Sequence, residues 1–303
     1  MFAGQGTLDA AIFKTGSLAG HLNAVRRALG GADRIDQFVL AAAIAHDRAL
    51  RSNGLQPAAL VGHGFGELAA LVCGGAFTLE QAAEIAARRA VVLDAHGCEP
   101  GGMLTLQATT ATAEHLVRLA GAFRAAVAAE NGCADTVVSG TNRGLKAVRR
   151  LARAKRIPFS ELSARWPLHC GELMRPAAMK LAAQLRPIRP RPLEIPVFSP
   201  TLRRYYRGSD DLTECLAWNL ARRVRFADAV RSLAAAGLTR FVDCGALRGL
   251  ARHVHAIVAA ATGDDRAAIS RSHRVPDVGS RQPVAASTDY GLWASVPSSA
   301  DRA

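Results

Sequence analysis

Apolar residues recur along this chain at two spacings, and the change between them divides it. Helical spacing covers 17–30, 34–52, 67–73 and 79–96, with Leu40 and Ile44 among the apolar positions of the second stretch. Ser52-Asn53-Gly54 stops that helix and Gly74-Gly75 stops the next. Thr78, with Gln81 three residues on, forms a capping box for the fourth. Short apolar runs at Phe2-Ala3 and Ala58–Val61 predict brief buried strands. From Met103 the texture changes. Strands at 103–107, 124–130, 135–139 and 156–159 interleave with helices at 112–120 and 144–155, giving the order βαββαβ of a small four-stranded unit. A helix at 173–186, a proline-rich break at 187–192 and a strand at 195–198 return the chain to the larger unit. Helices at 212–220, 226–235 and 250–260 and a strand at 240–242 complete it, and 264–303 reads as a mobile tail rich in Asp, Ser, Pro and Arg. The expected fold is α/β. A hydrolase-like large domain (1–99 and 167–263) has a short parallel sheet flanked by helices, and a ferredoxin-like small subdomain (100–166) is inserted in it.

Composition narrows the function classes. With 303 residues, 50% of them apolar, the chain has enough to bury a sizeable core. A net charge of +13 favours acidic partners. Nucleic acid is not the expected one, because neither a recognition fold nor an aromatic platform accompanies the charge. A small acidic carrier protein fits the same field, and the arginines are equally the mark of an arginine-rich proteome. Six cysteines include no CxxC pair and no metal-ligand spacing with histidine, so free thiols in a reducing, cytoplasmic setting are expected, with no metal. Apolar runs end well short of membrane-spanning length, so no membrane partner is expected.

The chemistry concentrates at Leu60–Glu67 (LVGHGFGE), which reads as a strand end, a tight glycine turn and a helix start. A nucleophile elbow has this form, with small residues on both sides because the turn is crowded. Gly62 and Gly66 supply them, and free amides at the helix start can stabilise an oxyanion. The apex, where a nucleophile would stand, is Gly64. Alone, the string reads more readily as a plain glycine turn with His63 packed or capping. It is not a dinucleotide fingerprint, since no acidic ribose ligand comes after it at the expected place.

Separate segments add to it in order. Met1–Gly6 (MFAGQG) resembles FPGQG, Val61–Leu71 (VGHGFGELAAL) resembles GHSxGE(Y/F)AAL, Asn131–Gly140 (NGCADTVVSG) resembles NxPxxxVVSG, and Pro167–Met174 (PLHCGELM) resembles (P/A)FHSxLM. Ala87–Ala90, Pro196–Ser199, Asn219–Phe226 and Asp243–Leu250 match further segments of the same set. Over about residues 1–255 the chain resembles the malonyl-CoA:acyl-carrier-protein transacylase family, including the acyltransferase domains of polyketide synthases.

The resemblance implies roles by position. The family's acyl-accepting serine falls on Gly64, its general base on His169, and its oxyanion donors on Gln5 and the backbone amide of Phe65. The main-chain carbonyl that orients the base falls on Asn219, and the arginine that meets a malonyl carboxylate falls on Arg89. His63 and Glu67 read as structural. Neither Cys170, beside His169, nor Cys73 is placed to replace the serine. The extra residue between His169 and Leu173-Met174 predicts a displaced loop. The resemblance, less its serine, implies an acyltransferase-like protein of polyketide or fatty-acid-like biosynthesis. It would bind acyl-carrier protein, a synthase component or acyl thioesters, with acyl-CoA or a phosphopantetheine-linked acyl group as substrate, no bound cofactor and little or no serine-based transfer. The alternative is an active transferase or thioester hydrolase in which His169 works with water or by direct thiol attack.

Overall fold

The computed structural model describes residues 1–2, 16–28, 35–96, 99–121, 124–238, 240–244, 249–262 and 269–270. Helices α1 (Gly16–Ala28) and α2 (Ile35–Ser52) pack on each other ahead of the central strand β1 (Leu60–Val61). Both β1 residues are buried, as the apolar run requires. The elbow leads into α3 (Gly66–Cys73), and α4 (Leu79–Asp94) comes next with the expected capping box, Thr78 and Gln81 each satisfying the other's backbone amide.

The small subdomain is then inserted. It contains β2 (Gly101–Leu106), α5 (Thr110–Ala120), β3 (Ala125–Gly132), β4 (Asp135–Thr141), α6 (Asn142–Ala154) and β5 (Phe159–Leu162). Its antiparallel sheet has the order β3-β4-β2-β5. This is the ferredoxin-like arrangement, and the last strand starts at 159 instead of 156. The reason is local: α6 ends at Ala154, and Arg156 turns left-handed at φ 55 while its amide bonds back to Arg153, so the chain becomes extended only afterwards.

The large domain resumes with α7 (Gly171–Leu185), β6 (Val197–Ser199), β7 (Arg204–Tyr205), α8 (Leu212–Trp218), α9 (Phe226–Ala235), β8 (Phe241–Val242), α10 (Gly249–Thr262) and β9 (Ile269–Ser270). β6 lies parallel to β1, and β7 folds back antiparallel at its edge. On the other side of β1, Phe2 bridges Gly62 in parallel, and the Cys244 amide bonds the Met1 carbonyl, which links this layer to β8. β8 and β9 pair in parallel. Apart from β9, the tail expected over 264–303 lies outside the described residues.

The alternation of strand residues explains how the two units share a core. Leu104, Leu106 and Val138 face α5 and α6 with Leu116 and Val148. Their neighbours Thr105 and Val137, which pair across β2 and β4, face the large domain instead. A bulge between Val127 and Ala129 turns Ala128 and Ala129 into the large-domain core beside Phe226. The joint is also bonded: Ala129 bridges Val224 in parallel. Among the described residues, no helix is long and apolar enough to cross a membrane, and no cluster of His, Cys, Asp and Glu could hold a metal ion.

Candidate active site

The elbow is built by hydrogen bonds on both limbs. The Phe2 amide bonds the Val61 carbonyl at 3.0 Å and the His63 amide bonds the Phe2 carbonyl at 2.8 Å, so the strand side is fixed. The turn then closes with Gly66 N–H to the His63 carbonyl and Glu67 N–H to the Gly64 carbonyl, both at 3.0 Å. Gly64 adopts φ +56, the left-handed conformation of a sharp strand-to-helix turn. Gly62 is dictated by packing, since a Cβ there would lie 2.3 Å from the Glu67 backbone nitrogen. Among the described residues, a Cβ at Gly64 would meet the His169 ring alone, with Nε2 at 3.1 Å.

His169 therefore faces residue 64 across the site, and α7 starts two positions beyond it. His169 is itself left-handed at φ 62, a conformation uncommon outside glycine. Two bonds hold it there: its amide donates to the Leu220 carbonyl at 2.7 Å, and Nδ1 lies 2.9 Å from the Arg222 carbonyl. A carbonyl only accepts, so the proton sits on Nδ1 and the Nε2 lone pair is presented to residue 64. Burial is the main force pulling the His169 pKa down to about 4, with the neighbouring His63 acting in the same direction. The ring is neutral near pH 7.

The Asn219 backbone does reach the ring, as expected, but it shares the orienting role with a second carbonyl. The 2.9 Å bond is to Arg222, and the Asn219 backbone adds a further interaction with the ring. The Asn219 side chain works elsewhere, donating to Glu67 Oε1 at 3.0 Å. The bond from the His169 amide to Leu220 sets the residues after it beside the imidazole and so carries Arg222 into place.

Glu67 is fully buried under the elbow. Its Oε2 accepts from the Ser199 hydroxyl at 2.8 Å and the Tyr206 hydroxyl at 2.6 Å. Burial raises its pKa, and these donors draw it partly back. It ties α3 to β6 and α8 and does not face the cavity.

Above Gly64 lies a cavity of about 200 Å³. The elbow, the outward face of the small sheet and α10 line it. Phe65 precedes α3 at the positive end of that helix. Its ring carries the buried Arg89 guanidinium 4.5 Å from the centroid. Thus Gly64, Phe65, His169 and Arg89 come together on one cavity, while Gln5 lies outside the described residues. His63 Nε2 bonds Asn131 Oδ1 at 2.7 Å, and the Asn131 amide bonds Asp135 at 3.1 Å. Asp135 stands 3.8 Å from His253, so sequence reasoning missed a polar wall. Asn131 was visible in the NGCADTVVSG segment, whereas His253 on α10 had no signal. Cys170 is buried against the start of α7, where burial raises its thiol pKa.

The sequence pattern of the acyl transferase domain family matches residues 23–274. The chain belongs to that family. Among curated relatives, the acyl transferase domain described here is 38% identical over 197 residues to the spectinabilin polyketide synthase system protein NorA' of Streptomyces orinoci, covering 64% of this chain and 5% of the relative. It is 32% identical over 248 residues to erythronolide synthase EryA2 of Saccharopolyspora erythraea, covering 80% of this chain and 7% of the relative. The chain thus spans a small fraction of these proteins. Among solved structures, the acyltransferase domain from module 8 of the salinomycin polyketide synthase superposes with a TM-score of 0.78 at 27% identity, over 87% of this chain and 68% of that one. The malonyl CoA-acyl carrier protein transacylase of Coxiella burnetii gives 0.75 at 23% identity, over 84% and 89%, and at that identity shows the fold alone.

Proposed function

We propose that this acyl transferase domain binds acyl thioesters, delivered by coenzyme A or by the phosphopantetheine arm of a carrier protein, without forming an acyl-enzyme at residue 64. One observation carries the reading: His169 Nε2 lies 3.1 Å from where a side chain on Gly64 would begin, yet glycine supplies no oxygen or sulfur there. The relatives' names support a carrier-protein or polyketide-synthase partner, and the +13 charge suits an acidic one. Arg89 would take the carboxylate of a malonyl-type acyl group, a match that a guanidinium makes with two parallel hydrogen bonds. Residues 1–99 with 167–263 would act as the catalytic-fold unit and 100–166 as the unit that closes its cavity.

Intact-protein mass spectrometry with malonyl-CoA and holo carrier protein tests this. The natural chain should carry no acyl adduct. Gly64→Ser should acquire one, and Gly64→Ser combined with His169→Ala should lose it. A stable adduct on the natural chain would overturn the proposal.

The open position beside a neutral imidazole favours a second reading, slow hydrolysis. His169 Nε2 would take a proton from water as the oxygen attacks the thioester carbonyl, and the departing sulfur would then receive that proton. Free acid released by the natural chain and abolished by His169→Ala would establish it.

A further inference from the structure

The carbonyl that fixes the His169 tautomer belongs to a strip of chain clasped from two sides. On the large-domain side, the Leu220 and Arg222 carbonyls accept from His169 at 2.7 and 2.9 Å. On the small-subdomain side, the Glu130 amide bonds the Val224 carbonyl and the Val224 amide bonds the Ala128 carbonyl, both at 2.9 Å. Between these anchors Arg223 meets two carboxylates of the small subdomain, Glu130 with Nε at 2.8 Å and Glu114 with Nη1 at 2.8 Å. Arg225 approaches the same Glu130 oxygen at 3.4 Å. The Arg223–Glu130 contact is largely sheltered, the side chains being 19% and 16% exposed.

We propose that Arg223 and Glu130 are positioning residues for His169: by clamping the strip at residue 223 they set where the Arg222 carbonyl stands. The peptide unit between Arg222 and Arg223 is planar and rigid, so a shift of residue 223 moves that carbonyl. A lone exposed ion pair does little, but two arginines sharing the one sheltered Glu130 carboxylate beside a backbone bridge make a network. The seat of the small subdomain is thereby tied to the protonation geometry of the imidazole across the cavity. The inference rests on His169 being the base of the proposed thioester site, but its geometry can be tested without any thioester.

The test is nitrogen NMR on the full chain with labelled histidine. Nine histidines contribute, and the spectrum of His169→Gln identifies the ring. In the natural chain Nδ1 should carry the proton and Nε2 the lone pair. In Glu130→Gln and in Arg223→Met the two nitrogen shifts should move toward each other as the second tautomer appears. Arg223→Lys, which keeps the charge, should retain most of the native signal. Arg149→Gln removes an ion pair with Glu161 inside the same subdomain and should leave the ring unchanged. If Glu130→Gln does not fold, Arg223→Met decides, and Glu114→Gln should give a smaller shift in the same direction. A loss of stability in Glu130→Gln and Arg223→Met with the His169 shifts unmoved would overturn the proposal, leaving the pair as cement between two units. In a Gly64→Ser chain that turns over, Arg223→Met should lower kcat roughly ten- to a hundredfold at unchanged KM, a part of the about 10²–10⁴ that a positioned base supplies. A Gly64→Ser chain that never loads acyl groups, but whose ring responds to Arg223→Met, would sink the thioester reading and leave this one standing.

Discussion

The two faces of the elbow are built under different constraints. Below the turn, Gly62 is pressed against the Glu67 backbone, and the Glu67 carboxyl is bonded to Ser199, Tyr206 and Asn219. Above the turn, Gly64 borders a cavity that His169, Phe65 and Arg89 also line. The lower face admits no other residue at position 62 because the obstacle is backbone. At the upper face the obstacle is a side chain, the His169 ring at 3.1 Å, which needs to give only a few tenths of an ångström. The fold is thus held by contacts that do not depend on the identity of residue 64, so family architecture and acyl-enzyme chemistry can part company at one position.

The largest test contrasts the two glycines. Gly62→Ala should prevent folding or cost at least about 4 kcal/mol, because a Cβ at 2.3 Å from backbone forces the turn apart. Gly64→Ser should cost about 1–2 kcal/mol, the penalty of an L-residue at φ +56, and should leave the fold intact. Urea unfolding measures both, and equal losses would remove the distinction. Next in size is Glu67→Ala, which strands two hydroxyls and an amide in the interior and should cost about 3 kcal/mol, at about 1 kcal/mol or more for each lost partner. A loss below about 1 kcal/mol would mean that water or rearrangement satisfies the group.

The two faces should also respond to pH with opposite signs. The His169 pKa is lowered from 6.5 to about 4 on folding. Its neutral form therefore stabilises the fold above pH 6.5, and that contribution, about 3 kcal/mol, is lost as pH falls through 4. His63, also lowered by burial, adds in the same sense. The Glu67 pKa is raised above 4.5, so its contribution is present below that value and is lost as pH rises through the folded value. Unfolding free energies from pH 7 to pH 4 should fall less steeply in His169→Gln than in the natural chain. Parallel slopes would break the assignment of His169 as a buried neutral base.

Legibility in the sequence divides along the same line. Helix ends governed by side-chain caps were readable, as Thr78 and Gln81 show, and so was the βαββαβ order, because alternation in β2 and β4 separates Leu104 and Val138 from Thr105 and Val137. β7 was not, since two polar residues pair with β6 only through tertiary placement. The site residues His169, Arg89 and Phe65 stood in segments with distinctive side chains. The Arg222 carbonyl did not: any residue offers one, and only the folded bond from His169 to Leu220 brings Arg222 to the ring beside Asn219. The string of glycines also conceals that one is required by packing and the other faces the site.

The smallest effects concern the upper face itself. If Arg89 receives a substrate carboxylate, Arg89→Ala should weaken malonyl-CoA binding by about 2 kcal/mol, the worth of a charge-assisted hydrogen bond, and leave acetyl-CoA nearly unchanged. Phe65→Leu removes the ring beneath the guanidinium, whose carbon lies 4.5 Å from the centroid, and that contact is worth about 1 kcal/mol in a sheltered site. The guanidinium would remain but would sample more orientations. Malonyl-CoA affinity should then fall a few-fold, with acetyl-CoA again the control, and calorimetric titration of both thioesters reads the difference. Because the ring and the carboxylate would approach the same cation from different directions, Phe65→Leu in the Arg89→Ala background should add nothing to the malonyl loss. A full additive loss would place Phe65 against the acyl group directly and free Arg89 from the recognition role.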